Sequence, residues 1–94
     1  MLSKIPQNLS KLKKEELDKE ILRVGKIAEL DAINLYEQMS AMTKNKNIKK
    51  VLKDIIKEEK THLGEFQELL LRQDKEQAKE LQEGKKEVKE LLGK

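Results

Sequence analysis

Residues 21–39 read ILRVGKIAELDAINLYEQM, and this stretch decides the fold. Its apolar residues recur at intervals of three, four and seven positions, which is the spacing of one face of an α-helix. Two adjacent apolar stripes run from Leu17 to Met39, so this face is too wide for a helix that packs against a single neighbour. We therefore predict a long helix that contacts more than one other helix.

A second helical pattern follows a short break. The residues TKNKN at 43–47 interrupt the spacing, and Asn45 suits a left-handed helix end while Asn47 suits an N-cap. The pattern then resumes from Ile48 to Arg72, and its inner face carries Leu52, Ile55, Ile56, Leu63, Phe66, Leu69 and Leu70. Two long helices with so short a connection form an antiparallel hairpin. Met39 and Met42 are interpreted as core filler.

A third, weaker helix is expected after the hairpin. Asp74 and Gln77 resemble a capping box at its start, and Gly84 interrupts its apolar pattern. The prediction is an all-α chain in which an antiparallel two-helix hairpin is followed by a short third helix. We expect a flexible N-terminal arm at residues 1–12 and one domain at residues 13–94. The helices of this domain are predicted at about 13–43, 47–73 and 75–92.

The composition supports this class and excludes several functions. Charged residues make up 41% of the 94 residues and aromatic residues 2%, which is typical of long amphipathic helices. The absence of Cys excludes disulfides, thiolate metal sites and a cysteine nucleophile. Acidic and basic residues are interleaved, and no stretch reaches the ~20 apolar residues of a membrane span, so neither nucleic acid nor membrane is an expected partner. We expect a soluble, cytoplasmic protein that self-associates, because so short a chain forms only a marginal core.

Three polar residues lie where the helical pattern calls for apolar ones. Glu29 and Glu59 are flanked at one and two turns mainly by apolar residues, so both carboxylates should point inward, where an unpaired charge costs several kcal/mol. Glu59 and His62 form Glu-x-x-His, which places a carboxylate and an imidazole on one helix face. Glu29 lies 16 residues before Asn45 and Glu59 lies 14 after it, so the three side chains should meet at one level of the hairpin.

This donor set predicts a metal site that one chain only half completes. Carboxylates with one imidazole per metal suit iron or manganese better than structural zinc. A di-iron carboxylate bundle takes one Glu from each of two helices and Glu-x-x-His from each of the other two, and this chain supplies half of that set. We therefore predict a homodimer with two-fold symmetry, in which two hairpins form a four-helix ferritin-like bundle around two metal ions.

Each of these residues also has an ordinary structural interpretation. A buried Glu can pair with a Lys, and buried polar groups usually find hydrogen-bond partners, so a metal-free helical dimerisation module is an alternative. Tyr36 lies two turns from Glu29 and could donate a hydrogen bond at the site, serve as a radical sink, or simply fill the core. Asp31 lies off the stripe of Glu29 and is either solvated or marks the place where metal ions come in.

Residues 28–38, AELDAINLYEQ, followed by EEKTH at 58–62, resemble the encapsulated ferritins, which are ferritin-like proteins housed in encapsulin nanocompartments. The resemblance covers about residues 14–92. It implies that Glu29, Glu59 and His62 are iron ligands, with Glu59 bridging, that Tyr36 lies beside the centre, and that Asp31 lies on the access route. One departure is Leu35, where some family members carry an aromatic residue.

The resemblance also implies an activity and an assembly. The implied activity is that of a ferroxidase, which oxidises Fe(II) to Fe(III) at a di-iron centre and passes the product to the lumen of an encapsulin shell for storage. The implied assembly is a decameric ring of five dimers. Residues 87–94 carry no evident encapsulation tail, so we expect either a domain of the archaeal type, which is fused ahead of the shell protein, or a chain that reaches its compartment in another way. The alternative within the ferritin-like class is a rubrerythrin-like peroxide reductase, although the cysteine-based electron relay of such proteins is missing.

Overall fold

The computed structural model describes residues 13–94 and contains three α-helices in this range, with no strand. They are α1 at Lys14–Met42, α2 at Lys46–Gln73 and α3 at Lys75–Leu92. The predicted all-α class and the number of helices are therefore confirmed. The predicted arm at 1–12 lies outside the described residues. None of the helices in the described range is both long and apolar enough to cross a membrane.

The hairpin of α1 and α2 holds most of the tertiary contacts, and its core is small. The buried apolar side chains of the described range are Leu22, Leu52, Ile56 and Leu70. Met42 is 80% exposed and Met39 is 41% exposed, so their prediction as core filler is wrong for the single chain. Leu69, predicted on the inner face, is also half exposed. A core of this size gives little stability to one copy, which favours self-association.

The turn between α1 and α2 is capped differently from the prediction. Asn45 has an extended backbone (φ −81°, ψ 117°) rather than a left-handed one, and it is the N-cap of α2. Its side-chain oxygen accepts hydrogen bonds from the backbone N–H groups of Asn47 and Ile48, at 2.9 and 3.1 Å. The assignment of the N-cap to Asn47 is therefore wrong. The helix begins at Lys46 because Asn45 satisfies donors that a helix start leaves free.

The two hairpin helices approach closely at Gly25, next to the predicted metal ligands. A Cβ atom at Gly25 would lie 2.8 Å from Cε1 and 2.9 Å from Cδ1 of the Phe66 ring. These distances are shorter than van der Waals contact, so only glycine lets α1 lie against this ring without displacing it.

We expect Gly25→Ala to lower the free energy of unfolding by about 1–3 kcal/mol, because the added methyl overpacks the contact with Phe66. Gly84→Ala is the matched control, since a Cβ there has no neighbour within 4 Å. Alanine at this helical position should raise stability by about 0.5–1 kcal/mol. Urea unfolding of the variants at equal protein concentration compares them, and equal effects of the two substitutions would contradict the close packing.

Asp74 forms the junction between α2 and α3. Its backbone N–H donates to the Leu70 carbonyl at 2.8 Å, and its carboxylate accepts from the Gln77 N–H at 2.9 Å. Arg23 of α1 reaches the same carboxylate at 3.3 Å. The predicted cap at Asp74 is thus confirmed, and Asp74 connects all three helices. The hydrogen bond from Gln77, with smaller effects of Lys19 and Arg23, holds the pKa of Asp74 below its usual value.

The lowered pKa of Asp74 predicts how the junction responds to acid. Because the folded pKa lies below the unfolded value of 3.8, this group stabilises the fold fully above that value and loses its effect as pH falls through the folded pKa. We expect wild type to be more stable than Asp74→Asn at about pH 6 and the difference to vanish at about pH 2. Urea midpoints across this range measure it, and a difference that is independent of pH would contradict the assignment.

The third helix projects away from the hairpin. Two packed helices span only about 20 Å across, yet the molecule measures 47 × 44 × 18 Å, so α3 must extend outward in the plane of the hairpin. It is continuous through Gly84, so the predicted interruption is wrong. A single glycine costs a helix only about 1 kcal/mol, and the residues on both sides favour helix.

Candidate metal centre

Glu29 of α1 and Glu59 and His62 of α2 come together midway along the hairpin. Each offers one ligand atom, and these three atoms lie within 4.8 Å of one another. The Nδ1 atom of His62 is 3.7 Å from Oε1 of Glu29 and 3.6 Å from Oε2 of Glu59. The structure therefore brings together the three side chains that the sequence pattern singled out. Their role as metal ligands stays a prediction.

The carboxylates of this group are largely removed from water. The side chains of Glu29 and Glu59 are 17% and 20% exposed, and that of His62 is 46% exposed. The Oε2 atom of Glu29 is buried and has no hydrogen-bond partner among residues 13–94. A buried acceptor without a partner costs about 1–3 kcal/mol, and more when it is charged. A bound cation would remove this cost, so the donor set and its burial fit a metal ion.

The distances within the group also favour a metal over direct hydrogen bonding. Separations of 3.6 and 3.7 Å from nitrogen to oxygen are too long for hydrogen bonds. Ligands that each lie ~2.1 Å from an ion are ~3.0–3.4 Å from one another in octahedral or tetrahedral geometry. Small side-chain movements would therefore bring these atoms into one coordination sphere, whereas no hydrogen bond within the group satisfies the buried Oε2 atom of Glu29.

A cavity of about 330 Å³ opens beside the three residues. Glu29, His62, Glu65, Phe66 and Leu69 line it. Glu65 is exposed, and the helical pattern did not single it out as a residue of the site. Its position three residues after His62 could have identified it, because this spacing puts the two side chains one helical turn apart.

Tyr36 and Asp31 lie outside the three-residue group. Both are partly buried on α1, and Tyr36 is two turns from Glu29 on the same face. Asp31 takes part in an interaction within the structure and is therefore not simply solvated. The structure does not bring either side chain among the ligand atoms, and their predicted roles stay predictions.

Exposed apolar residues lie on the same stripe of α2 as His62. Val51 and Leu69, which are 11 residues before and seven after His62, are half exposed and share its stripe on α2. Ile21 and Leu35 of α1 are also about half exposed. Apolar side chains that stay in contact with water around partly buried carboxylates mark an interaction surface.

Comparisons with known proteins give a consistent result. The sequence profile of the EncFtn-like family matches residues 4–86. The chain is 59% identical over 80 residues to a ferritin-like-encapsulin shell fusion protein of Pyrococcus furiosus, covering 85% of this chain and 23% of that protein. It is 44% identical over 57 residues to the encapsulin nanocompartment cargo protein EncC of Myxococcus xanthus, covering 61% of this chain and 44% of that one. The chain thus spans less than half the length of these curated relatives.

One solved structure is similar over the whole length. The crystal structure of an encapsulated ferritin domain from Pyrococcus furiosus matches with a TM-score of 0.86 and 50% sequence identity, covering 100% of this chain and 98% of that chain. A likeness of this extent shows that the two chains share their fold, including the projecting third helix.

Proposed function

Because the chain belongs to the EncFtn-like family, we propose that it is a ferroxidase, which oxidises Fe(II) to Fe(III) at a site that two copies share. The resemblance to the encapsulated ferritins, read from residues 28–38 and 58–62, is confirmed by the family match and the relatives. The ferroxidase chemistry is our inference, and it rests on the three-residue group.

The observation that carries the proposal is the unpaired Oε2 atom of Glu29. It is buried and has no hydrogen-bond partner among residues 13–94, the neighbouring Glu59 carboxylate has no donor to offer, and Nδ1 of His62 lies 3.7 Å from the other oxygen, Oε1. A protein without a cation to bind there would gain stability by replacing this carboxylate with an apolar or amide side chain. The group therefore supports a metal-binding role over a purely structural one.

The partner supplies the second half of the site. Three ligand atoms from one chain leave an ion incompletely coordinated, and His62 is 46% exposed on a stripe that also carries the exposed Val51 and Leu69. A two-fold axis over this face would bring a second Glu29, Glu59 and His62 opposite the first, giving four carboxylates and two imidazoles for two iron ions. The same contact would cover the exposed apolar stripes.

The chemistry follows from the donors. Carboxylate oxygens are hard ligands and stabilise Fe(III) relative to Fe(II), while His62 completes the donor set without closing it. Two ferrous ions give up one electron each. Dioxygen takes up the two electrons and two protons and leaves as hydrogen peroxide; alternatively, hydrogen peroxide takes up two electrons and two protons and leaves as two molecules of water.

The setting proposed for this reaction is an encapsulin nanocompartment in the cytoplasm. One relative is named as a fusion of a ferritin-like part with an encapsulin shell and another as an encapsulin cargo protein. We propose that this chain likewise works with an encapsulin shell protein, and that its dimers assemble into a ring of five. Ferric iron would then pass to the shell lumen for storage.

An anaerobic titration followed by exposure to oxygen tests the activity. We expect about one Fe(II) per chain to bind without oxygen, and we expect oxygen to convert the bound iron to Fe(III) faster than it oxidises iron free in buffer. Ferrous binding with no acceleration over buffer would leave the chain a metal-binding protein and would contradict the ferroxidase proposal.

Metal should also strengthen the association of the chains. Without metal, the shared site brings four carboxylates together unneutralised, which opposes pairing, and Fe(II) removes that repulsion. Native mass measurement of the anaerobic protein with and without Fe(II) is expected to show a shift to larger oligomers with metal. An identical distribution in both samples would refute the shared site.

A further inference from the structure

His62 turns one of its two ring nitrogens towards the other predicted ligands. Its Nδ1 atom is 3.7 Å from Oε1 of Glu29 and 3.6 Å from Oε2 of Glu59. The two nitrogens of an imidazole ring point in different directions, so Nε2 faces away from both carboxylates. Nδ1 is therefore the nitrogen that is placed to bind a metal ion. A histidine that binds a metal through one nitrogen almost always donates its other N–H group to an acceptor nearby.

The cavity beside His62 contains one acceptor that this second nitrogen can use. The residues that line the cavity are Glu29, His62, Glu65, Phe66 and Leu69. The side chains of Phe66 and Leu69 have no hydrogen-bond acceptor, and Glu29 lies on the side of Nδ1. The carboxylate of Glu65 remains. The apolar walls also strengthen a hydrogen bond formed there, because they lower the local dielectric constant.

Glu65 lies within reach of the His62 ring. It follows His62 by three residues on α2, and the side chains of a helix lean towards its N-terminus, so the Glu65 carboxylate can lie over the turn that carries His62. Glu65 is exposed and belongs to none of the ion pairs of residues 13–94. No cation of the described chain therefore competes with His62 for this carboxylate.

We propose that Glu65 positions His62 for metal binding by accepting a hydrogen bond from its Nε2–H group. This inference rests on the proposed function and deepens it, because it adds a residue that touches no iron and acts through the ring that does. The hydrogen bond fixes the orientation of the imidazole and the nitrogen that carries its proton. It also makes the imidazole more basic and hence a stronger ligand.

The hydrogen bond should form only when metal is bound. A neutral imidazole has one N–H group, and beside two carboxylates the proton belongs on Nδ1. Nε2 then carries a lone pair, which the Glu65 carboxylate repels. Metal on Nδ1 leaves the proton on Nε2, and Glu65 gains a donor. Glu65 therefore stabilises the metal-bound protein relative to the metal-free protein, and this difference appears as metal affinity.

Ferrous binding to three variants tests the positioning role. In a titration of the full chain with Fe(II) under nitrogen, Glu65→Ala should raise the dissociation constant about 10–100-fold. Glu65→Gln removes the same charge but keeps an oxygen acceptor. It should lose less affinity than Glu65→Ala, because a hydrogen bond to a neutral acceptor is roughly half as strong as one to a carboxylate.

Glu58→Ala is the control for charge. Glu58 is exposed one turn before His62 on the same helix and does not line the cavity. Its removal changes the net charge by the same amount, so this variant should bind Fe(II) within about twofold of wild type.

The position of the imidazole proton is a second measurement, which a merely structural role of Glu65 would not change. His62 is the only histidine of the chain, so its ring gives a single imidazole signal in the NMR spectrum of isotope-labelled protein. Zn(II) takes the same oxygen and nitrogen donors and has no unpaired electrons, so it replaces Fe(II) here. With Zn(II), the proton of wild type should lie on Nε2 and exchange slowly with water. In Glu65→Ala it should exchange too fast to be observed.

The outcomes separate this inference from the proposed function. If Glu65→Gln or Glu58→Ala binds Fe(II) as weakly as Glu65→Ala, the effect belongs to charge alone and the positioning role is overturned. A proton on Nδ1 in the Zn(II) form would overturn it too. If Glu65→Ala binds as tightly as wild type while Glu59→Ala does not bind, the positioning role fails and the shared site stands. Wild type that binds no Fe(II) would remove the proposed function and this inference together.

Discussion

Replacing Glu59 with alanine is expected to slow ferrous oxidation about a hundredfold or more, because it removes one oxygen ligand from each half of the shared site. Loss of a group that merely orients a metal ligand already costs ~10–100-fold in metal affinity or activity, and loss of the ligand itself should cost at least as much. His62 is the common neighbour of the two carboxylates, 3.7 Å from Glu29 and 3.6 Å from Glu59, so removing Glu59 also takes away one of its two acidic neighbours.

The preceding residue provides a matched control. Glu58 is exposed on the same helix and does not belong to the ligand group. Glu58→Ala changes the net charge by the same amount and should leave the oxidation rate within about twofold of wild type. Stopped-flow mixing of anaerobic Fe(II)-loaded protein with oxygen compares the three proteins. If Glu59→Ala oxidises iron as fast as Glu58→Ala, both the ferroxidase and the related peroxide-reducing activity lose their basis.

Glu29→Gln is expected to raise the stability of the metal-free protein and to lower the stability of the metal-loaded protein. The amide removes a buried charge whose Oε2 atom has no partner, which should raise the free energy of unfolding by about 1–3 kcal/mol in the presence of a chelator. Wild type, but not the variant, should then gain stability as Fe(II) is added under nitrogen. At a hundred times the dissociation constant that gain is about 2.7 kcal/mol.

Urea unfolding with chelator and with Fe(II) measures both effects. Glu37→Gln is the control, because Glu37 is exposed on the same helix and should change stability by no more than about 0.5 kcal/mol in either condition. The opposite sign, in which Glu29→Gln destabilises the metal-free protein, would show that Glu29 serves a structural role. That result would support the metal-free dimerisation module.

Helical periodicity accounts for what the sequence predicted well. The three predicted helix ranges agree with the structure to within one residue at each end. This agreement arises because the long amphipathic stretches and the cap at Asp74 determine where the helices begin and end. Glu29, Glu59 and His62 were found by the same means, since the spacing shows which residues face inward and the hairpin length shows which ones meet. The cap at Asn45 was misplaced because either asparagine has a side chain suited to a cap.

Most of what the sequence did not predict concerns apolar side chains that a single copy of the chain leaves exposed. Met39, Leu69 and Val88 have apolar side chains at regular spacing, which sequence reasoning places in a core, yet they are exposed in one copy. A periodic pattern shows that a side chain will be covered and does not show by which molecule. Glu65 was missed for another reason: it is exposed, and its position beside the predicted metal ligands follows from the shape of the cavity rather than from burial.

The most direct test of the shared iron site is a crystal of this protein soaked in Fe(II) without oxygen, with anomalous scattering recorded at the iron edge. The expected result is a pair of iron peaks on a two-fold axis between two chains, within bonding distance of Glu29, Glu59 and His62 from both. Iron peaks elsewhere, or side chains of these residues that lie too far from the second copy to share an ion, would contradict it.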